Sequence, residues 1–466
     1  MIGQKFTKLC GVALVAMMAS TAIARAETLA DALVDAYNNS GLLEQNRALL
    51  RAADEDVAQS VAALRPSLSY LASVDYGYSD SEDPIRGGYQ EGLGAGLNLV
   101  ASMTLYDFGR NQLAVDAAKE TVLATREGLI GVEQQVLFNA VNAYLSLSRD
   151  IEFVTLRENN LRVITQELQA ARDRFEVGES TRTDVSNAEA RQAAAQSSLA
   201  EAKGAVAVSR EVFRSAIGRY PTSLERPPNA PQTAASVDEA RRVALINHPD
   251  LKAAQRIIRV AELNVERAER LKYPTLSGTA RAGFNGVFED FDSTSATVSV
   301  ELSGPIYQGG ALPSYARQAL ARVQAERANL HLVRLAVEQN VGTAWAQLLV
   351  SQASLEALRS QVVASQAAFE STREEASLGA KTTLDVLNAE QEFLDARANV
   401  IAATTVRYIA DYYLLAQMGL LTASHLNLNV QAYDPEAYYQ AVQNAPASYS
   451  AQGKALDRVL KGLGKQ

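Results

Sequence analysis

The sequence contains one cysteine, Cys10, and that residue lies near the start of the chain. Two lysines there precede a short apolar run, Leu9–Ala19, and a cleavage site of the A-x-A type, Ala24-Arg25-Ala26, follows it; this is the pattern of a cleaved secretory signal peptide. We therefore expect residues 1–26 to be removed, and a lipoprotein acylated at Cys10 is the less favoured alternative. The mature chain would then form no disulfide and have no thiol chemistry.

The chain also lacks an excess of positive charge and long apolar runs. Its formal net charge is −9, and loss of Lys5, Lys8 and Arg25 with the signal peptide lowers this to −12. Such a balance argues against nucleic acid as a partner. Beyond the signal peptide, no run approaches the ~18 consecutive apolar residues of a membrane-spanning helix. The exported protein would either stay soluble or enter a membrane as a β-barrel.

Motifs for catalysis and metal binding are missing as well. The three histidines, His248, His331 and His425, are far apart and show no metal-ligand spacing. No nucleophile motif, phosphate-binding loop or pair of catalytic carboxylates is present in the pattern that such sites require. The sequence therefore predicts neither an enzyme nor a metal or cofactor site.

Proline is absent from two long segments, 85–220 and 314–434, although the chain has 12 prolines. Both segments are rich in Ala, Leu, Glu, Gln and Arg, and such segments can form long helices. A helix of about 68 residues would be on the order of 100 Å long and must pack lengthwise against others. Seven-residue spacing predicts coiled-coil packing at Leu147, Val154, Leu161, Leu168 and Phe175, and at Leu348, Leu355, Val362, Phe369 and Ala376.

A short motif occurs twice, as VGESTRTDVSNAEA at 177–190 and as LGAKTTLDVLNAEQ at 378–391. We interpret each copy as the tip of an antiparallel helical hairpin. Gly178 and Gly379 would adopt the left-handed conformation that ends the first helix. The hydroxyl groups that follow, from Ser180/Thr181 and Thr382/Thr383, would cap the returning helix.

Alternating apolar and polar residues predict four strands, within 67–78, 93–105, 275–285 and 296–303. They could form ordinary hairpins on a soluble core, or transmembrane strands with apolar residues facing lipid. Their length and the signal peptide favour the second interpretation. Because four strands cannot close a barrel, the chain must oligomerise. A dimer would supply eight strands and a trimer twelve, and a wide lumen favours the trimer.

The duplication extends over most of the chain, at offsets of 201 and 208 residues. It predicts an α+β membrane protein with an internal two-fold repeat, in which a long antiparallel coiled-coil barrel continues from a trimeric 12-stranded transmembrane β-barrel. The predicted parts are a first repeat at 27–218 (helix 28–65, strands 66–106, hairpin 109–218, tip 177–184), a Pro-rich linker at 219–236, a second repeat at 237–421 (helix 237–273, strands 274–307, hairpin 311–421, tip 378–385) and a partly disordered tail at 422–466.

Several segments together resemble the TolC family of outer-membrane channel proteins. They are RPSL (65–68) and YPTL (273–276) before the strands, LYDFGR (105–110) and IYQGGA (306–311) after them, and the two hairpin tips. The resemblance covers about residues 28–430 and implies a homotrimer in the lipid of a Gram-negative outer membrane, with a helical tunnel in the periplasm. It further implies a passive exit duct that docks a periplasmic adaptor and an inner-membrane pump or ABC transporter, in tripartite efflux or type I secretion.

The resemblance also suggests roles for individual residues. Asp385 matches a position that rings the periplasmic aperture in the family, and Asn388 stands where some members have a second carboxylate. A structural alternative for Asp385 is stabilisation of the first helical turn. The adaptor-docking tips include Gly178, Thr181, Asp184, Gly379 and Thr382. Bends between helix and strand are expected at Pro66, Gly109, Pro274, Gly309 and Gly310.

A periplasmic coiled-coil adaptor is the alternative from another class. Such adaptors have one helical hairpin and a lipoyl-like β-domain. The duplicated hairpins and the duplicated strands argue against this class.

Overall fold

The computed structural model describes residues 26–81, 88–227, 230–231, 233–287 and 290–462. The predicted signal peptide, apart from Ala26, lies outside the described residues. So do parts of the two loops between paired strands, of the Pro-rich linker and of the end of the tail.

The described residues form ten α-helices and one sheet of four strands. In chain order they are α1 Leu29–Asn39, α2 Gly41–Ala62, β1 Ser67–Ser81, β2 Gly88–Tyr106, α3 Arg110–Glu176, α4 Arg182–Ile217, α5 Val237–Asn247, α6 Pro249–Glu269, β3 Thr275–Val287, β4 Asp290–Ser303, α7 Ala311–Ser377, α8 Thr383–Gln417, α9 Pro435–Val442 and α10 Ala451–Gly462. Of the helices described, none combines the length and apolar character needed to cross a membrane.

Two helical hairpins dominate the molecule, α3 with α4 and α7 with α8. Helices α3 and α7 each contain 67 residues, which corresponds to a length of about 100 Å. Helix α3 packs along α4, and α7 along α8. Not every residue of the predicted seven-residue pattern is covered, since Phe175 is 44% exposed. Leu147 and Leu348 are buried, and the rings of Phe369 and Phe393 stack across the second hairpin with their centroids 6.1 Å apart.

A second line of contact joins the two hairpins and was not predicted. Helix α3 also packs along α8, and it buries Leu156, Asn160, Ile164 and Ala171 in addition to the predicted seam. Just behind the tips, Ile164 and Leu168 of α3 lie in one apolar cluster with Leu387 of α8. Both tips therefore lie at the same end of the molecule.

The predicted helices 28–65 and 237–273 are each interrupted, which corrects those two predictions. Ser40 separates α1 from α2, since it adopts an extended conformation and its hydroxyl accepts a bond from the Leu43 N–H at 3.2 Å. His248 separates α5 from α6, because the residue before Pro249 is disfavoured in a helical conformation. The second region then ends in a short 3₁₀ turn at Arg270–Lys272.

The tail is more ordered than predicted, because α9 and α10 lie within it. Helix α9 packs on α2, and the Tyr438 hydroxyl donates to Glu55 at 2.7 Å. Arg126 of α3 forms an ion pair with Glu436 at 2.6 Å and lies over the ring of Tyr439. These contacts hold the first part of the tail against the first repeat.

The largest apolar core lies where α1, α3, α4 and α8 meet. Tyr144 is fully buried there, and its hydroxyl proton is shared between the backbone carbonyl oxygens of Glu27 and Glu225, at 2.9 and 2.6 Å. The linker and the start of the described chain are thereby fixed to α3. This core contains residues 136–147 of α3 and the C-terminal ends of α4 and α8. The hairpin tips project from it.

The four strands form one antiparallel sheet in the order β1-β2-β3-β4. Strands β2 and β3 pair across the two repeats, with Leu99 opposite Ala282. Within the described residues, β1 and β4 each pair with a single neighbour. The sheet therefore has two open edges.

Candidate functional site

The hairpin tips have the same backbone geometry in both repeats. Gly178 and Gly379 have φ values of 81° and 79°, in the left-handed region where glycine is favoured. A Cβ at either position would meet no atom within 4 Å, so backbone conformation is the local requirement for glycine. Of the paired candidates for the helix cap, Thr181 and Thr382 occupy the N-cap position.

Each cap includes the aspartate three residues later. The hydroxyl of Thr181 accepts a bond from the Asp184 N–H at 3.2 Å, and the Asp184 carboxylate accepts from the Thr181 N–H at 3.0 Å. Thr382 and Asp385 make the same pair of bonds. These bonds hold the pKa of both aspartate carboxyl groups below the usual range, because they favour the charged form.

Asn388, the second aperture candidate, connects the two hairpins. It lies on α8, and its side-chain oxygen accepts a bond from Arg191 of α4 at 2.9 Å. Asp385, one turn earlier, is bonded to Thr382 within its own helix. The two predicted aperture residues therefore differ in what they contact within the subunit.

A buried carboxyl group lies two residues after Asn388 on α8 and was missed by the sequence analysis. Glu390 is 5% exposed, and one of its oxygens accepts a bond from Asn160 of α3 at 3.4 Å. Its other oxygen has no hydrogen-bond partner among the described residues. Burial, followed by the negative charge of Glu167, raises the pKa of Glu390 to about 7. Glu167 itself forms an ion pair with Arg373 of α7 at 3.5 Å.

The junction between β2 and α3 is held by more residues than predicted. Gly109 has a φ of 77° and is the N-cap of α3. The carboxylate of Asp107 accepts bonds from the N–H groups of Gly109 and Asn111 at 3.0 and 2.7 Å. Arg270 donates to the Phe108 carbonyl at 2.8 Å. Asp107 could have been found in the sequence, as an aspartate placed to cap the helix that follows.

The corresponding junction in the second repeat is more open. Gly309 and Gly310 both have positive φ values, 57° and 84°, and Gly310 is the N-cap of α7. Gln308 stands where the first repeat has Asp107. Ile306 and Tyr307 are 103% and 85% exposed. Pro66 and Pro274 each lie just before a strand, β1 and β3.

One face of the sheet is a continuous exposed apolar surface. Its side chains alternate along each strand with small or polar ones. Large apolar side chains that are at least one-third exposed are Leu68, Tyr70, Val74, Tyr76, Tyr78, Leu93, Leu97, Leu99, Met103, Leu105, Phe284, Val298, Val300 and Leu302. A surface of this size is typical of a protein or membrane contact. On β2 and β3, Asn98 and Asn285 bond across the strands at 3.2 Å.

Comparisons with known proteins agree with this architecture. A model of the family described as outer membrane efflux protein matches residues 32–219 and 240–420. The chain belongs to this family. Its members are channel proteins of the outer membrane, and we place this chain in the Gram-negative outer membrane with a periplasmic helical extension. The family assignment does not favour the adaptor interpretation.

Among relatives, outer membrane efflux protein BepC of Brucella suis is 33% identical over 424 residues, which is 90% of this chain and 91% of BepC. Outer membrane protein TolC of Escherichia coli is 25% identical and covers 82% of this chain and 81% of its own length. Alkaline protease secretion protein AprF of Pseudomonas aeruginosa is 26% identical, with 79% of both chains covered. The family thus includes proteins named for efflux and for secretion.

Solved structures show the same fold at lower sequence identity. CusC matches with a TM-score of 0.74 and 19% identity, over 85% of this chain and 92% of CusC. VceC from Vibrio cholerae matches with a TM-score of 0.72 and 21% identity, over 84% of this chain and 96% of VceC. The expected resemblance to TolC-like channels is confirmed.

Proposed function

We propose that this protein is a passive exit duct of the outer membrane, part of a tripartite efflux pump or a type I secretion system. The sheet carries this proposal, because it combines an exposed apolar face with two open edges. In lipid, unpaired backbone groups at an edge cost several kcal/mol each. Such a sheet can enter a membrane only where further strands pair with β1 and β4.

A homotrimer satisfies this requirement with identical parts. Strand β4 of one subunit would pair with β1 of the next, and three sheets of four strands would give twelve. The helical hairpins would continue below as a ring. Outer-membrane lipid would contact the apolar face of the sheet.

The internal repeat suggests which helices meet between subunits. Within one chain, α3 of the first hairpin packs on α8 of the second. The repeat equivalents of α3 and α8 are α7 and α4, so we infer that α7 packs on α4 of the adjacent subunit. Both helices have exposed apolar residues that such a contact would cover, namely Leu332, Leu335, Leu349, Val350 and Val363 on α7 and Val208 and Val212 on α4.

The inferred subunit contact can be tested by disulfide formation, since the mature chain has no other cysteine. The bonded pair Asn160 and Glu390 corresponds, at an offset of 201, to Gln361 and Glu189. Chains with Gln361→Cys and Glu189→Cys should form covalently linked oligomers up to a trimer. In a control with Gln361→Cys and Lys203→Cys, the second site lies about 21 Å further along α4 and should not link.

Three observations on the intact protein decide whether it is a duct. It should fractionate with the outer membrane, run as a heat-labile trimer and conduct ions in planar lipid bilayers. A soluble periplasmic monomer without conductance would contradict the proposal. Recovery of an inner-membrane pump or an ABC transporter in a pull-down distinguishes efflux from secretion.

The tips are proposed to dock the adaptor, and Asp385 and Asn388 to surround the periplasmic aperture. The tips project beyond the core and present two similar turns at one end of the molecule. Three copies of Asp385 around one axis would repel each other and attract cations.

A further inference from the structure

An arginine and a glutamate occur at equivalent positions in both hairpins, but they make different contacts in each. Arg172 and Glu189 of the first hairpin form an ion pair across α3 and α4 at 2.7 Å. Their repeat equivalents at an offset of 201 are Arg373 and Glu390. Arg373 does not pair with Glu390 in this way; it contacts Glu167 of the first hairpin instead, at 3.5 Å.

The difference has a clear cause in the neighbouring residues. Glu167 lies on α3 within reach of Arg373, whereas its repeat equivalent is the uncharged Ala368. Glu390 is left between the hairpins, where Asn160 donates to one of its oxygens. A carboxylate in such a place is unfavourable unless it is paired, and the neutral acid is favoured.

We propose that Arg373 is a two-position switch, bound to Glu167 while the hairpins are packed together and to Glu390 when the second hairpin separates at its tip. Loss of the Glu390 proton favours the second position. In the first hairpin the equivalent residues, Arg172 and Glu189, already form the ion pair that corresponds to the second position. If the chain is the duct proposed above, this exchange would widen its periplasmic end.

The groups around Glu390 determine the direction of the pH effect. Glu167 of α3 disfavours its charge, while Arg373 of α7 and the bond from Asn160 favour it. On α4, the nearby cation Arg191 is bonded to Asn388. Burial outweighs the favourable contributions, so the pKa in the packed arrangement is about 7, against 4.5 for an ordinary glutamate.

Proton linkage determines whether packing of the hairpins strengthens or weakens as pH rises. The packed arrangement holds the Glu390 proton more tightly than the separated one. Packing is therefore fully favoured below the ordinary pKa and weakens as pH rises toward the packed-state pKa. Between those values the ratio of separated to packed hairpins should rise at most tenfold per pH unit, on the order of a hundredfold in total.

Distances between spin labels at the two tips test the switch in the full-length protein. Glu179→Cys and Ala380→Cys place labels at equivalent, exposed positions of the two turns. Labelled chains mixed with an excess of unlabelled chains report the distance within one subunit. We expect a longer or broader distance distribution at pH 8 than at pH 5.

Three variants separate the switch from a general effect of pH. Glu390→Gln should keep the short distance at both pH values, and Glu167→Gln should favour the long distance at lower pH by releasing Arg373. Glu158→Gln, which breaks an exposed ion pair with Lys203 in the first hairpin, should respond to pH as the unchanged protein does. A pH response that survives in Glu390→Gln, or is absent from the unchanged protein, would overturn the proposal.

Conductance measured on the same preparations tests the proposed duct independently of the proposed switch. A pH-dependent distance in a protein that never conducts would refute the duct and leave the switch intact. Conductance without a pH-dependent distance would refute the switch alone. Glu167→Gln provides a second test if Glu390→Gln folds poorly.

Discussion

Thr382 and Asp385 are bonded to each other in both directions at the start of α8. The backbone N–H and the hydroxyl of Thr382 donate to one Asp385 oxygen at 3.0 and 2.7 Å, and the Asp385 N–H donates back to the hydroxyl at 3.2 Å. Thr181 and Asp184 repeat this arrangement. In the second hairpin, the Asp385 carboxylate therefore both caps α8 and is the proposed aperture group. In the first hairpin, Asp184 makes a comparable cap.

Replacement of that carboxylate should open the aperture. We expect Asp385→Ala to raise basal conductance in planar bilayers and to weaken block by cations, because the proposed ring of three negative charges would be lost. Single-channel recording with and without a divalent cation measures both effects.

Asp184→Ala is the matched control for this experiment. It removes the same kind of helix cap from the first hairpin, so a loss of cap stability alone should affect both variants. If the two variants change conductance and cation block equally, the aperture role of Asp385 is wrong.

A side chain at either tip glycine should cost stability. Gly178→Val or Gly379→Val would force a branched residue into the left-handed conformation, at about 1–2 kcal/mol. We expect a lower unfolding temperature and loss of the efflux or secretion phenotype. Gly204→Val, inside α4 and without neighbours within 4 Å of its Cβ position, provides a helical control. A normal phenotype with normal expression would argue against docking at the tips.

Local patterns predicted the elements that depend on local chemistry. The turns around Gly178 and Gly379, the alternation of the strands and the burial of Leu147 and Leu348 all follow from residues that are near one another in sequence or that repeat at a fixed spacing. The break at Ser40 was missed although Asn38, Asn39, Ser40 and Gly41 together form a turn and capping signal that the sequence analysis did not use.

The environment of Glu390 could not be predicted in the same way. Glu189 has the same side chain at the same place in the repeat, yet it is exposed in the subunit and paired with Arg172. What buries Glu390 is α3, through Asn160, which lies 230 residues away in sequence. A pattern along one helix does not indicate which helix will cover it.

Asp54 of α2 should make stability depend on pH. It is fully buried, and neither of its oxygens has a hydrogen-bond partner among the described residues. Burial raises its pKa to about 6, with Glu55 and Glu436 adding to the effect against Arg126. Its folded-state pKa is above the ordinary 3.8, so its contribution to stability is present below that value and is lost as pH rises through 6.

We therefore expect Asp54→Asn to stabilise the protein at pH 8, by on the order of 1 kcal/mol, and to have little effect at pH 4. Thermal unfolding followed by circular dichroism at the two pH values measures the difference. Asp56→Asn alters an exposed aspartate of the same helix and should change neither. An equal gain from Asp54→Asn at both pH values would exclude titration of this group as the cause.

Arg219 is expected to be one of the more costly positions to change outside the apolar core. It binds Glu27 through both terminal nitrogens, at 3.0 and 2.9 Å, and Asp35 through its Nε at 2.8 Å. Because Glu27 is 4% exposed, Arg219→Met would leave a buried carboxylate unpaired and should cost about 3 kcal/mol in unfolding free energy. Arg214→Met breaks an exposed pair with Glu211 and should cost less than about 1 kcal/mol.

Adding Glu27→Gln to Arg219→Met should recover part of the lost stability, since the unpaired buried charge is then removed. If the double variant is no more stable than Arg219→Met, lost packing and not the buried charge accounts for the cost.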